Sequence, residues 1–203
     1  MRTSTILCSL LLSSLALFAG CSKVCETDDL PNFSLTAGEK SWLTAYPQNA
    51  VLRFRNANGY ERTYKVIEAR VFTEDRGNVG KGAVCPSYQR EFASVVLERT
   101  DTTGTNYFKR QQTFTQGATS DQEVYSGYIQ WGVSTFYAPI KEVEAGQQTL
   151  ASQTFAGRTY QSVLELSSGQ PSASANSVQR IFLTKADGVI RFEERGGTVW
   201  NRL

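Results

Sequence analysis

The sequence contains no histidine. This absence excludes Ser-His-Asp and Cys-His catalysis, histidine metal ligands and histidine-based pH switches. The sequence also lacks an excess of one charge sign. It has 21 Lys and Arg residues and 19 Asp and Glu residues, which give a formal net charge of +2. A balance so close to neutrality excludes the strong positive field that attracts nucleic acid. We therefore expect no nucleic-acid partner.

Long hydrophobic runs are missing after the first 20 residues. Before that point, the uncharged apolar stretch from Ile6 to Ala19 follows Arg2 and leads into Gly20 and Cys21. A membrane-spanning helix needs about 20 apolar residues, so this stretch is typical of a cleaved secretory signal instead. We predict a signal peptide over residues 1–20, followed by a water-soluble body.

The end of this signal, Leu17-Phe18-Ala19-Gly20-Cys21, resembles the lipobox of bacterial lipoproteins. The resemblance implies a thioether-linked diacylglycerol on Cys21, cleavage before it, and acylation of the new amino group (the palmitate-type anchor of this class). Phe18 departs from the usual small aliphatic residue. Ser22 follows the cysteine where Asp would imply retention in the inner membrane, so the resemblance implies an outer-membrane location on either face. The alternative is an ordinary signal peptide with an incidental cysteine.

The four cysteines leave one candidate disulfide. Cys8 departs with the signal and Cys21 is the lipid attachment site, which leaves Cys25 and Cys85 in an oxidising compartment. A Cys25–Cys85 bridge would stabilise the fold by roughly 4 kcal/mol in the chain-entropy model. Free thiols are the alternative. Two sulfurs without histidine cannot close a zinc site, so we expect no metal and no cofactor.

The body divides into a tether over 21–35 and a β domain over 36–203. Thr36 and Glu39 have the spacing of a capping box, which predicts one short helix over about 37–45, ended by Pro47. After Pro47 the hydrophobic period changes to two, and turn residues such as Asn58-Gly59 and Asp187-Gly188 separate the runs.

About nine strands are predicted in this domain, with boundaries near 51–55, 60–72, 88–99, 106–115, 125–137, 149–155, 159–166, 178–184 and 188–194, and a short last strand that ends at Trp200. Amphipathic helices do not alternate with these strands, which excludes a parallel βαβ fold. The sequence therefore predicts a single antiparallel β-sandwich, barrel or half-barrel.

Two stretches resemble small β-rich outer-membrane lipoproteins, most of which are uncharacterised. The first runs from Leu35-Thr36 through Leu52-Arg53-Phe54 to Asn58-Gly59, and the second runs from Phe155-Ala156-Gly157 through Ile181-Phe182-Leu183 to Trp200. Both are patterns of hydrophobic and turn residues. The resemblance implies an envelope β fold and brings no catalytic residue with it.

The aromatic stretch 125–137 carries the candidate ligand-binding residues Tyr128, Trp131 and Tyr137. Alternation along one strand places Trp131 and Tyr137 on one face and Tyr128 on the other. Aromatic rings on a sheet stack on sugars or line a ligand cavity, and core packing is the alternative.

Five carboxylates lie on predicted strands, where a glycosidase would need a facing pair: Glu68, Glu98, Glu165, Glu193 and Glu194. Strand carboxylates more often form the solvent face of a sheet, and we predict that placement here. Three functions stay open: a non-enzymatic envelope protein that binds a partner or supports an assembly, a carrier of a small hydrophobic ligand or lipid in a barrel mouth, and a carboxylate-dependent enzyme acting on polysaccharide. We favour the first, with no catalytic residue assigned.

Overall fold

The computed structural model describes residues 30–77, 86–102, 111–118, 127–169 and 174–203. Cys21, Cys25 and Cys85 lie outside these ranges, so the lipid anchor and the disulfide stay predictions. The described part is mainly β, as predicted, and forms a curled antiparallel half-barrel. No helix in these ranges is long and apolar enough to cross a membrane.

Twelve strands and two short helices occur in the described residues, in the order β1 Asn32–Phe33, α1 Ala37–Ser41, β2 Val51–Asn56, β3 Glu61–Gly77, β4 Pro86–Arg99, β5 Gln111–Gly117, β6 Gly127–Trp131, β7 Ser134–Ala138, α2 Ile140–Glu144, β8 Ala151–Phe155, β9 Arg158–Ser167, β10 Val178–Thr184, β11 Gly188–Glu194 and β12 Val199–Arg202. Eleven of these strands form one path in the order β7-β6-β5-β4-β3-β2-β12-β11-β10-β9-β8.

This path consists of two meanders, β2 to β7 and β8 to β12. Strand β12 joins them because it pairs with β11 on one side and with β2 on the other, where Trp200 lies opposite Asn56. The two-residue strand β1 runs parallel to β4 beside this path. It falls within the predicted tether, and Leu35 is buried, so the described end of that tether is part of the domain.

Helix α1 begins at the predicted capping box. The Thr36 hydroxyl accepts a hydrogen bond from the Glu39 amide at 3.2 Å, and the Glu39 carboxylate accepts one from the Thr36 amide at 2.7 Å. The helix ends at Ser41, earlier than predicted, because the following amides bond to carbonyls three residues back, as Tyr46 does to Leu43. These tight turns bury Tyr46 beneath the sheet.

Helix α2 was not predicted. It follows Pro139 and has only 5 residues, of which Ile140 is buried. A helix of this length shows no readable period, and it is unstable without tertiary contacts. Its tertiary contacts include the end of α1, where the indole of the capping residue Trp42 donates a hydrogen bond to the Glu144 carboxylate at 2.7 Å.

The predicted single strand over 125–137 is wrong, because the described part of that stretch is the hairpin β6–β7. Trp131 pairs with Ser134 across a two-residue turn in which Gly132 has φ +64°. Glycine at the first turn position suits a type II′ turn. A two-residue turn inverts the parity of the second arm, so Tyr137 lies opposite Tyr128 and on the other face from Trp131.

Aromatic rings fill the concave side of the half-barrel. We call the set Phe54, Tyr64, Trp131, Phe192 and Trp200 the aromatic cluster; all five are buried. Its ring centroids lie 5.1 Å apart for Tyr64 and Trp131, 5.2 Å for Phe54 and Phe192, and 5.3 Å for Trp131 and Phe192. Such pairs add about 0.5–1.5 kcal/mol each beyond their buried area. The interior is therefore packed protein rather than an open lumen.

Candidate functional site

A cavity of about 360 Å³ lies at one end of the half-barrel, beside the β6–β7 turn. The opposite end holds α1 and α2. We call this space the mouth cavity; its lining consists of Arg62, Tyr64, Arg99, Gln112, Trp131, Gly132, Val133, Ser174, Asn176, Ser177, Val178 and Glu194. Its volume is at the lower end of the range for small-molecule sites. Trp131 and Tyr64 belong to the aromatic cluster, so this wall of the cavity is rigid.

Arg62 and Glu194 form a buried ion pair in the cavity wall. The guanidinium nitrogen and the carboxylate oxygen are 2.7 Å apart, and the Glu194 side chain is only 3% exposed. The Arg62 guanidinium also lies over the Trp200 ring, 4.0 Å from its centroid, which is cation–π geometry. The pair therefore has little freedom and no net charge.

Arg99 is the second cationic side chain of the cavity, and Asp101 compensates it. The guanidinium donates to both Asp101 oxygens, with a shortest distance of 2.7 Å. Burial raises the pKa of Asp101, but hydrogen bonds from Arg99 and from the Thr63 amide outweigh burial and leave that pKa below its usual value. Both arginines of the mouth cavity are thus charge-balanced.

Tyr64 contributes a neutral phenol to this wall. Burial raises its pKa to about 12, and the nearby positive charges of Arg62 and Arg99 oppose only part of that rise. The phenol therefore stays protonated across the physiological pH range and adds no charge to the cavity.

Two hydrogen-bond donors of the cavity residues have no acceptor. Within the described chain, the Nε1 of Trp131 and the Nε of Arg62 are buried and unpaired. Gln112 is already engaged, because its side-chain oxygen accepts the Gly132 amide. A buried donor without an acceptor costs about 1–3 kcal/mol, so each of these nitrogens lowers the stability of the fold locally.

The three predicted ligand-binding residues do not form one site. Tyr128 and Tyr137 lie on the convex face with ring centroids 5.7 Å apart, and both are partly exposed. Trp131 lies on the concave face and lines the mouth cavity. The predicted placement of Tyr137 on the same face as Trp131 is therefore wrong, because the hairpin turn brings Tyr137 beside Tyr128. Ligand binding by the three residues stays a prediction.

Two of the five candidate carboxylates are not on a solvent face as predicted. Glu193 and Glu194 are both buried, on opposite faces of β11. Glu193 lies on the convex face, 2.5 Å from a nitrogen of Arg180, and also pairs with Arg191. The pairing register between β10 and β11 shifts at Ile190, which has no pairing partner in β10. Ile190 and Arg191 therefore lie on the same face of β11, the face that also carries Glu193.

Glu68 and Glu165 agree with the predicted placement on a solvent face. Glu68 pairs with Arg70 at 2.8 Å and Glu165 with Arg180 at 3.3 Å, and all four side chains are well exposed. No group of three or more Asp, Glu, His or Cys residues that could hold a metal occurs in the part of the chain that the structure describes.

The sequence alone does not mark Arg62, Arg99 and Glu194 as cavity residues. Each lies near a strand end: Arg62 follows the Asn58-Gly59 turn, and Glu194 comes before Gly196-Gly197. A charged residue next to a turn is an ordinary surface feature, so only the strand order brings the three together. Comparisons of the chain with protein-family models, with curated proteins and with solved structures find no match.

Proposed function

We propose that this chain is a lipid-anchored protein of the bacterial outer membrane that binds a partner or ligand without transforming it chemically. The anchor rests on the resemblance of Leu17–Cys21 to a lipobox, with Cys21 as the acylated residue. Several acyl chains on one terminus hold a protein stably at a membrane. The described domain then acts as a tethered binding module.

The observation that carries the binding role is the filled interior. A carrier of a lipid or other hydrophobic ligand needs an apolar space inside the barrel, and here the aromatic cluster occupies that space. The mouth cavity lies at the end of the half-barrel and not inside it, and Arg62, Arg99 and Glu194 are among its lining residues. Binding at the mouth or on the outer face fits the structure better than transport through its middle.

The buried carboxylates support a role without catalysis. In the described residues these are Glu39, Glu193 and Glu194. Glu39 caps α1, Glu194 pairs with Arg62, and Glu193 pairs with two arginines. Each of the three already has a structural partner, which leaves none of them as a carboxylate facing another across a cleft, the arrangement that a glycosidase needs.

The anchor is tested by growing cells with a labelled fatty acid. We expect label in the native protein and none in the Cys21→Ala variant, which should also leave the membrane fraction. Cys25→Ala is the matched control and should stay labelled. Membrane association of an unlabelled Cys21→Ala protein would contradict the proposal.

The binding role is separated from the carrier role by native mass spectrometry. Residues 22–203, exported to a bacterial periplasm without the anchor, should give the mass of the bare polypeptide. A discrete additional mass of lipid size that dissociates on activation would reject the proposal and make the chain a carrier.

A further inference from the structure

We propose that part of the convex side of the half-barrel lies against the surface of the membrane that holds the anchor. This inference rests on the lipid anchor of the proposed function and adds the orientation of the domain on it. The contact surface consists of six partly exposed aromatic side chains. We call this set the outer aromatic face; its members are Phe33, Phe72, Tyr88, Phe92, Tyr128 and Tyr137.

The six rings form three pairs. Paired ring centroids lie 5.4–5.7 Å apart, for Phe33 with Tyr88, Phe72 with Phe92, and Tyr128 with Tyr137. Tyr137 is 50% exposed and Tyr128 is 37% exposed. Large aromatic side chains that stay together at the surface of a domain mark an interaction site.

Strand register places the pairs on one face of the sheet. Phe72 of β3 lies opposite Phe92 of β4, which lies opposite Gly117 of β5. Two residues before Gly117, on the same face of β5, Thr115 lies opposite Tyr128. Residues directly opposite each other share a face, so the pairs follow one another across the strands.

The point where the tether joins the domain is the first argument for a membrane as the occupant. The Pro31 carbonyl accepts a hydrogen bond from the Gln89 amide at 2.8 Å, and Phe33 lies opposite Arg90. The chain therefore enters the domain at the edge of the outer aromatic face. An extended chain covers at most about 3.3–3.6 Å per residue, so Leu30 lies within about 30 Å of Cys21. The anchor keeps this face close to the bilayer.

The chemistry of the rings is the second argument. A tyrosine has an apolar ring and a polar hydroxyl, and such side chains concentrate where headgroups meet acyl chains. The three tyrosines of the outer aromatic face supply this type of contact. The three phenylalanines beside them supply apolar surface for the region just below the headgroups.

The charges around the Phe72–Phe92 pair are the third argument. Glu68 pairs with Arg70 at 2.8 Å, and Glu74 pairs with Arg76 at 2.7 Å and with Arg90 at 2.8 Å. Three arginines and two glutamates leave one positive charge in excess. The lipid phosphates therefore meet no uncompensated carboxylate here, and the exposed Arg70 can extend toward them along its apolar stem.

The test uses the full-length acylated protein in vesicles of phosphatidylethanolamine and phosphatidylglycerol with brominated acyl chains. Bromine quenches a tryptophan that comes close to it. The three native tryptophans are buried, so the native protein gives the background signal. Phe72→Trp and Tyr137→Trp place probes at two separate points of the outer aromatic face.

Val71→Trp is the matched control, because Val71 is the neighbour of Phe72 in β3, is 43% exposed and lies on the opposite face. An interfacial surface enters the boundary of headgroups and acyl chains by about 5–10 Å, so we expect both probes to be quenched at least about twofold more than the control. Exchanging Tyr128 and Tyr137 for serine in the Phe72→Trp background should remove this difference. Both tyrosines are surface residues, so their exchange leaves the core intact.

Equal quenching of Phe72→Trp and Val71→Trp would overturn the inference, because the tether alone would then explain the proximity. Unquenched probes would overturn it as well. If the emission of those probes responded instead to a soluble glycan or protein of the envelope, the face would belong to that ligand. These failures leave the proposed function standing as long as the fatty-acid label is found on Cys21. An unlabelled native protein, in contrast, would remove the proposed function itself.

Discussion

Gly188 joins two constraints at one residue. It has φ +70°, a backbone conformation that favours glycine, and it ends the turn between β10 and β11. A Cβ at this position would lie 2.5 Å from the Tyr46 ring, whose hydroxyl accepts a hydrogen bond from the Val189 amide at 2.9 Å. The β10–β11 turn therefore packs directly against Tyr46, in the segment after α1.

We expect Gly188→Ala to lower the free energy of unfolding by about 3 kcal/mol, because it combines backbone strain with a clash against a buried ring. Gly59→Ala is the matched control. Gly59 has φ +83°, but a Cβ added there would meet no atom within 4 Å, so strain alone should cost about 1 kcal/mol. Urea unfolding of both variants measures the difference, and equal losses would refute the steric role of Tyr46.

At the scale of elements, the two short helices depend on one carboxylate. Glu144 of α2 accepts hydrogen bonds from the Trp42 indole beside α1 and from Lys185 after β10, both at 2.7 Å. Burial raises the pKa of Glu144, but the hydrogen bonds from Lys185 and Trp42 outweigh burial and leave that pKa below its usual value. Neither 5-residue helix has enough internal hydrogen bonds to persist alone.

Glu144→Gln should therefore destabilise the protein by about 1–2 kcal/mol at neutral pH. Because the folded-state pKa is lowered, this contribution exists above the ordinary carboxylate pKa and disappears as pH falls through the folded value. The difference from the native protein should accordingly shrink under acid. Glu142→Gln makes the same charge change in the same helix, where the buried Glu142 Oε2 has no hydrogen-bond partner among the described residues, so it should cost less than about 1 kcal/mol. A similar loss for both variants would argue against the link between the helices.

At the scale of the whole molecule, two buried phenols predict alkaline unfolding. Burial raises the pKa of Tyr46 and of Tyr64 to about 12 from an ordinary value of 10.0. The unfolded chain ionises first as pH rises, so stability is complete below about pH 10 and is lost progressively toward pH 12. Each tyrosine should contribute on the order of 2–3 kcal/mol to that loss.

The measurement is the free energy of unfolding in urea between pH 8 and pH 11. Tyr64→Phe should flatten the decline above about pH 10, because one of the two groups no longer titrates. Tyr60→Phe is the matched control, since Tyr60 is 69% exposed and should leave the slope unchanged. If the pH dependence of the free energy of unfolding is the same in Tyr64→Phe as in the native protein, groups other than Tyr64 cause the loss of stability at alkaline pH.

Much of the local structure could be read from the sequence. The capping box of Thr36 and Glu39, the turns at Asn58-Gly59 and Asp187-Gly188, and most strand positions depend on a few neighbouring residues. Period-two hydrophobicity reports which residues share a face of one strand. Short turns join several successive strands, such as β8 to β9 and β10 to β11, and a short turn can join only antiparallel neighbours.

The tertiary structure alone decided how those strands are arranged. The inverted parity of β7, the unpaired Ile190 that orients Arg191, and the position of β12 between β2 and β11 all depend on pairings between strands. The burial of Glu194 against Arg62 follows from the same pairings. No local pattern encodes that contact, because it requires residues far apart in the sequence to meet. The candidate lipid site at Cys21, in contrast, is a matter of local sequence, and the mouth cavity exists only once the sheet has curled.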